Sequence, residues 1–377
     1  MMSTENIPDL VILGAGPAGT AAAAFAAGKS LNVELLDQNQ APATLPLIEW
    51  LPAGADHLLE KLKVNRDEHV VGAVDTVRFI DAKNSRTAKT KLKPPVDLVL
   101  THRLLEQLRS MAGERGAVVS AGTRIVSIDP REEKVHLVSA TDQEFTGRLL
   151  VAADGTESWA AKKLGIYPKT QSRHSMSCQW ASLGADLPKK TGQKPSAELS
   201  LLFTSDSLAD FSYVYHAGDI TLVGLITEAP PDRVESKFQF TVDWGKDDGV
   251  LPSDLVIDPG NLVHRTIPRG LALDMETHGA KRSLVIGDAG GFIPALSHDG
   301  LYPAIWSAEL AVETCVSALD SPHPQDALSE FDHRWRRDMV EYLRLPNVDL
   351  RFLLPLVFSN EQMAQKVARA FVYGENL

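Results

Sequence analysis

The sequence predicts an α/β fold: a doubly wound parallel-sheet domain, interrupted by an antiparallel sheet and followed by a helical tail. Three observations carry this. Residues 10–13, LVIL, form a short apolar run that enters Gly14-Ala15-Gly16-Pro17-Ala18-Gly19, and a helix of small residues follows over 20–27. Two later apolar runs, 148–153 and 281–286, read as buried strands and end at Asp154-Gly155 and Gly287-Asp288. Between them, from 175 to about 263, strand-like runs dominate.

The G-x-G-x-x-G spacing has a physical reason. Gly14 allows a tight turn, Gly16 lets a pyrophosphate approach the backbone, and Gly19 lets helix and strand pack closely. The helix start offers unpaired N–H groups and a positive dipole end to phosphates. A second apolar run, 32–36, ends in Asp37-Gln38, with Asp37 at roughly the 20-residue distance of a carboxylate that binds a ribose hydroxyl. A lone motif of this kind is often just a strand-to-helix turn. Strand, glycines, helix, second strand and acid in this order favour a dinucleotide site.

Composition narrows the class. A chain of 377 residues, 44% hydrophobic and 23% charged, is long enough for two or three lobes of an ordinary globular protein. A net charge of −11 argues against nucleic acid as a partner, since phosphate backbones select basic surfaces. Cys178 and Cys315 form no C-x-x-C and read as small buried apolar residues, and no metal site is expected. The opening Met1-Met2-Ser3-Thr4-Glu5 shows no leader pattern, and no stretch is apolar enough to span a bilayer. The expected location is the cytoplasm.

The remaining elements follow in order. Residues 38–52 are Pro-rich and read as irregular, with a helix after them carrying Leu58, Leu59 and Leu62 on one face. Residues 69–71 and 74–80 alternate like strands that leave the first lobe and line a second. The basic run 83–93 reads as a docking site for an acidic partner or a cofactor phosphate, or as a solvated hairpin tip; charge runs favour the tip. Thr101 caps a helix with Leu104, Leu105 and Leu108 inward. Residues 117–119, 124–128 and 134–138 are strands. The sheet-rich lobe carries runs at 177–183, 197–203, 211–216 and 220–226, and a helix spans about 300–317. The tail is mostly helical; its apolar stretch 350–358 covers the second lobe's pocket, lies on a membrane, or packs into a core, the last being favoured.

Three signals now align: the glycine motif with Asp37, the stretch Ala152-Ala153-Asp154-Gly155, and the loop from Gly287-Asp288 to Ser297-His298-Asp299-Gly300-Leu301. Together they make the chain resemble the FAD-dependent oxidoreductase superfamily of aromatic-hydroxylase-type monooxygenases, flavin-dependent halogenases and geranylgeranyl reductases, over about residues 7–320. The resemblance implies a glutathione-reductase-type FAD domain formed by 1–80, 97–172 and 279–322, an inserted substrate domain at 173–278, and a helical region at 323–377. By position, Gly14, Gly16 and Gly19, with Ala15, Pro17 and Ala18 between them, would hold the pyrophosphate and Asp37-Gln38 the adenosine ribose. The superfamily usually has Glu where Asp37 stands. Arg103 would be its basic residue beside FAD, Val126 would lie near the adenine, Asp154-Gly155 matches its D-G motif, and Gly287-Asp288 its ribityl-binding G-D motif.

The loop 297–301 also has physics of its own. A helix starting near Gly300 presents free N–H groups, suited to the negative charge of a reduced flavin near N1. Ser297, His298 and Asp299 are thereby the candidate catalytic residues. His298 reads equally as a proton donor or acceptor and as a loop histidine bonded to backbone. Trp180, Tyr213, Tyr215 and His216 are candidates for the substrate wall, each with core or surface packing as the more common alternative.

No branch of the superfamily fits cleanly. The halogenase W-x-W-x-I-P motif is missing and 72–80 contains no lysine, although 47–52, LIEWLP, resembles the G-E-S-L-P region of halogenase-like flavoproteins. The stretch comparable to the geranylgeranyl reductase Y-x-W-x-F-P motif, Tyr213-Val214-Tyr215-His216-Ala217, lacks its Trp and its Pro. The resemblance therefore implies a monooxygenase in which FAD, reduced by transiently bound NAD(P)H or another donor, hydroxylates an electron-rich substrate through a C4a-hydroperoxide. That substrate is a small molecule or a protein side chain such as tryptophan. The alternatives are a double-bond reductase with a long apolar tunnel, and a non-catalytic FAD-binding partner protein.

Overall fold

Leu10–Leu13 is buried along its whole length because it lies in the middle of a sheet covered on both faces. The computed structural model describes residues 7–40, 47–168, 174–183, 195–205, 208, 210–268, 271–344, 350–375 and 377. The opening segment Met1–Glu5 and part of the Pro-rich stretch 38–52 lie outside the described residues. The first sheet has six strands in the order Gly279–Ala280, Ser283–Val285, Leu149–Ala152, Leu10–Leu13, Val33–Leu36, Val118–Ser120. Its pairings are parallel except at the 279–285 edge hairpin. Leu10 and Ile12 face a core shared with helices Pro17–Gly28, Thr101–Glu114 and Leu301–Asp320. Val11 and Leu13 face the opposite core, closed by a three-stranded sheet of Ile125–Pro130, Val135–Ser139 and Glu144–Gly147. Burial on both faces is why these strands read as unbroken apolar runs.

The second sheet has eight strands in the order Val263–Pro268, His174–Leu183, Ile220–Thr227, Phe211–Ala217, Ser196–Phe203, Val70–Asp81, Arg86–Leu100, Ile48–Leu51. All neighbours are antiparallel except Ser196–Phe203 beside Val70–Asp81. Its inner face packs on helices Leu350–Ser359 and Glu361–Tyr373, and its outer face on helix Val234–Asp247.

Several elements differ from the sequence expectation. Residues 48–51, read as irregular, form an edge strand, because their backbone finds a partner in Leu98–Leu100 far along the chain. The runs 69–71 and 74–80 are one bulged strand, Val70–Asp81, which pairs within the second sheet, as strands that line a second lobe should. The basic run forms the exposed turn of a hairpin at 82–85 and continues into strand Arg86–Leu100, where Arg86 pairs with Asp81 and Lys89 with Glu198. Helix Val234–Asp247 was missed among the strands; Val234, Phe238, Thr241, Val242 and Gly245 form its buried stripe. The tail segment packs into the core through Leu353, Leu354 and Val357. Among the described residues, no helix is long and apolar enough to cross a membrane, and no group of His, Cys, Asp and Glu side chains is arranged to hold a metal ion.

Candidate FAD and active site

Each motif glycine meets a different constraint. Gly14 has φ +96°, and a Cβ on it would lie 2.4 Å from the Ala153 carbonyl oxygen. A Cβ on Gly19 would lie 1.8 Å from the Gly14 carbonyl oxygen, so helix and turn touch through bare backbone. A Cβ on Gly16 would meet nothing within 4 Å. Protein packing explains the first two glycines, whereas at Gly16 the open space faces the side where a phosphate would approach. Pro17 starts the helix, where its missing N–H costs nothing, and Ala18 lies under Gly287, whose added Cβ would be 2.5 Å from the Ala18 Cβ.

A cavity of about 560 Å³ runs along this turn. Ala15, Gly16, Asp37, Gln38, Val126, Asp154 and Gly155 are among its lining residues. The Asp37 carboxylate accepts the Ala15 N–H at 2.5 Å and the Asn39 N–H at 2.7 Å, tying the second strand's end to the glycine turn. Asp154 accepts from the Ser158 hydroxyl and from the Ala160 N–H at 2.9 Å, holding the start of helix Trp159–Lys163. Arg103 points to solvent and is not among the cavity's lining residues. Arg109, two turns further along the same helix, reaches the Ala15 carbonyl at 3.5 Å, and its buried Nε has no partner among the described residues. Helical periodicity decides this, because Leu104 and Leu108 face the core and turn position 103 outward. Cavity size and the open face of Gly16 fit the phosphate and adenosine half of FAD.

Gly287-Asp288 leads from the third parallel strand towards Gly300, whose added Cβ would be 3.6 Å from Asp288 Oδ1. Burial pushes the Asp288 carboxyl up to about 6, against the pull of Arg265. Burial, reinforced by Glu49, pushes Asp299 up to about 8. Asp299 accepts the Leu301 N–H at 3.2 Å and the Tyr342 hydroxyl at 3.2 Å, and its own N–H donates to Ser297 Oγ at 3.3 Å. The helix start is therefore less open than its sequence implied: the carboxylate takes the Leu301 N–H, and Pro303 has none. His298 sits at φ +56° with Nδ1 3.1 Å from the Leu296 carbonyl, a loop histidine bonded to backbone.

Ser297, His298 and Asp299 line a second, small cavity of about 20 Å³ with Glu49, Trp50, Gln179, Tyr213 and Arg265. Of the four expected wall residues, only Tyr213 is brought there. Trp180 faces the opposite side of the sheet, in the core shared with helix Val234–Asp247. Tyr215 points inward, but its hydroxyl donates to the Ala73 and Pro195 carbonyls at 3.2 and 3.0 Å, closing the core at Gly72. His216 bonds Thr221 across the hairpin at 2.9 Å. The residues that sequence reasoning missed are Glu49, Trp50, Gln179 and Arg265. Arg265 and Glu49 form an ion pair at 3.1 Å, and Thr101 donates to the other Glu49 oxygen at 2.8 Å. The E-W in LIEWLP was the available signal for two of them.

A parallel-sheet nucleotide domain carrying a glycine turn, joined to a large antiparallel sheet over a buried polar pocket, defines a dinucleotide-dependent flavoprotein. The FAD binding domain family model matches residues 8–221, and the chain belongs to that family. It is an FAD-dependent oxidoreductase. Over 358 residues it is 22% identical to a digeranylgeranylglycerophospholipid reductase of Methanococcus vannielii, covering 91% of this chain and 86% of that one. The fold is shared with a geranylgeranyl bacteriochlorophyll reductase-like protein of Thermoplasma acidophilum, at TM-score 0.71 and 17% identity, covering 98% and 97% of the two chains. It is shared as well with halogenase PltM in complex with phloroglucinol and FAD, at TM-score 0.69 and 16% identity, covering 97% and 80%.

Proposed function

We propose that the protein is an FAD-dependent monooxygenase of a small electron-rich aromatic substrate, or of an aromatic protein side chain such as tryptophan, working in the cytoplasm. The observation that carries this is the wall of the second cavity. Trp50 and Tyr213 stand edge to face at 5.9 Å among Glu49, Gln179, Arg265 and Asp299. Such a wall suits a ring with polar substituents better than a long hydrocarbon. The likeness in fold to a halogenase held with phloroglucinol and FAD supports the same substrate class.

On this reading the turn from Gly14 to Gly19 holds the pyrophosphate, with Arg109 behind it. Asp37 and Gln38 stand at the ribose, Val126 at the adenine, Gly155 and Asp288 along the chain towards the ring, and Gly300 and Leu301 beside the ring. FAD supplies two-electron redox chemistry once reduced by NAD(P)H or another donor. The protein's residues orient the ring against Trp50 and Tyr213 and keep a proton on Asp299 below about pH 8.

The test is to reduce the FAD-loaded protein without air, then add oxygenated buffer with a panel of phenols and indoles. Oxygen incorporated into product in proportion to reductant consumed is expected. A second reading, favoured by the whole-chain likeness to the M. vannielii reductase, is double-bond reduction. In that case a geranylgeranyl lipid is reduced without oxygen, and the aromatic panel is untouched.

A further inference from the structure

Trp50 lines the second cavity, and its buried Nε1 meets no acceptor among the described residues. The side chain is only 8% exposed, so this donor is withheld from bulk solvent. Buried donors are nearly always partnered, and one left over calls for an explanation. The surrounding groups are committed elsewhere. The Gln179 amide is spent on the Ile48 backbone and the Tyr213 hydroxyl, Glu49 on Thr101 and Arg265, and Asp299 on Leu301 and Tyr342. The indole itself is held in place. Its ring packs edge to face on Tyr213, and the strand that carries it is gripped at Ile48. A rigid donor in the wall of a pocket selects ligands by what they accept, because a ligand without an acceptor leaves it unpaired.

We infer that Trp50 is a specificity-determining residue: its indole N–H reads a hydrogen-bond acceptor, an oxygen atom, on the ring of the bound substrate. This rests on the reading of the second cavity as the substrate side of the FAD site. Ile48, Ile226 and Ile267 supply the apolar contact for the ring, and Trp50 supplies the polar address.

The test uses binding rather than turnover, so it stands apart from the oxygenation experiment. The FAD-loaded protein is titrated with phenol, anisole and toluene, and the change in flavin absorbance gives each Kd. Phenol and anisole both carry the acceptor and are expected to bind about two- to tenfold more tightly than toluene, the range of one neutral hydrogen bond. Trp50→Phe keeps a ring but removes the donor. It is expected to bring phenol and anisole to the level of toluene, with FAD affinity unchanged. Equal binding of all three probes by the wild type overturns the inference without need of any variant. So does a Trp50→Phe protein that keeps the preference. Loss of FAD affinity in Trp50→Phe also overturns it, by assigning the donor to the cofactor.

Discussion

Gln179 grips Ile48 with both ends of its amide: Oε1 accepts the Ile48 N–H at 2.9 Å and Nε2 donates to the Ile48 carbonyl at 3.0 Å, across 131 residues of sequence. The side chain thus stands in for a strand neighbour at the open edge of Ile48–Leu51, and it also donates to the Tyr213 hydroxyl at 2.9 Å. One residue thereby orders both flanks of the second cavity. Gln179→Ala leaves three buried polar groups unpaired and is expected to cost about 3 kcal/mol in urea unfolding. An unchanged midpoint would show that the clamp is dispensable.

The glycine turn separates folding from binding. Gly19→Ala forces a Cβ into the Gly14 carbonyl and is expected to destabilise even the FAD-free protein, by roughly 3 kcal/mol or more. Gly16→Ala meets no protein atom, so its melting temperature without FAD should match wild type while FAD binds at least about tenfold more weakly. Calorimetric titration with FAD and thermal unfolding without it measure the two effects.

Arg109 and Arg103 lie on one helix and are expected to behave differently. Arg109→Ala removes the cation beside Ala15 and should weaken FAD severalfold. Arg103→Ala, on the exposed face, should leave FAD affinity at wild type. Equal losses from both would restore Arg103 to the site.

Asp299 links stability to pH. Its carboxyl is raised in the fold, so the folded state holds its proton longer than the unfolded chain does. The FAD-free protein should therefore lose stability as pH climbs from about 4 to about 8, and Asp299→Asn should flatten that slope. Denaturant melts at pH 5, 6.5 and 8 decide it.

Asp332 has the opposite sign. Despite burial, hydrogen bonds from His278, Trp335 and Thr277 hold its carboxyl well below the usual range, and His278 Nε2 continues to the Gly290 carbonyl at 2.9 Å. Its stabilisation is present above about pH 4 and is lost as pH falls below that. Asp332→Ala should cost roughly 3 kcal/mol at pH 7, read by urea unfolding, because it strands a fully buried histidine behind the Gly287–Gly290 turn.

Much of the first lobe was legible because its rules are local. The small helix after Gly16, the apolar strands and the acids at their ends follow from the space near a single turn. Trp180 and Tyr215 show the limit. Both are aromatic and lie on strands of one sheet, either side of Ile220–Thr227, but strand parity sends Trp180 to the outer core, and the Tyr215 hydroxyl is captured by the Ala73 and Pro195 carbonyls. Arg103 was placed by position in a motif, whereas the helix turns it to water and carries Arg109 to the glycine turn.

The sequence by itself determined the nucleotide-binding turn, the apolar strands of its lobe, and the loop that carries Ser297, His298 and Asp299. These depend on residue size and on contacts between near neighbours in the chain. Only the tertiary structure decided which side chains complete the active-site wall. Glu49 and Arg265, or Ile48 and Gln179, meet across more than a hundred residues, and no local spacing records such a contact. Their partnership depends on strand register and on the packing of two sheets against each other, which exist only once the whole chain has folded.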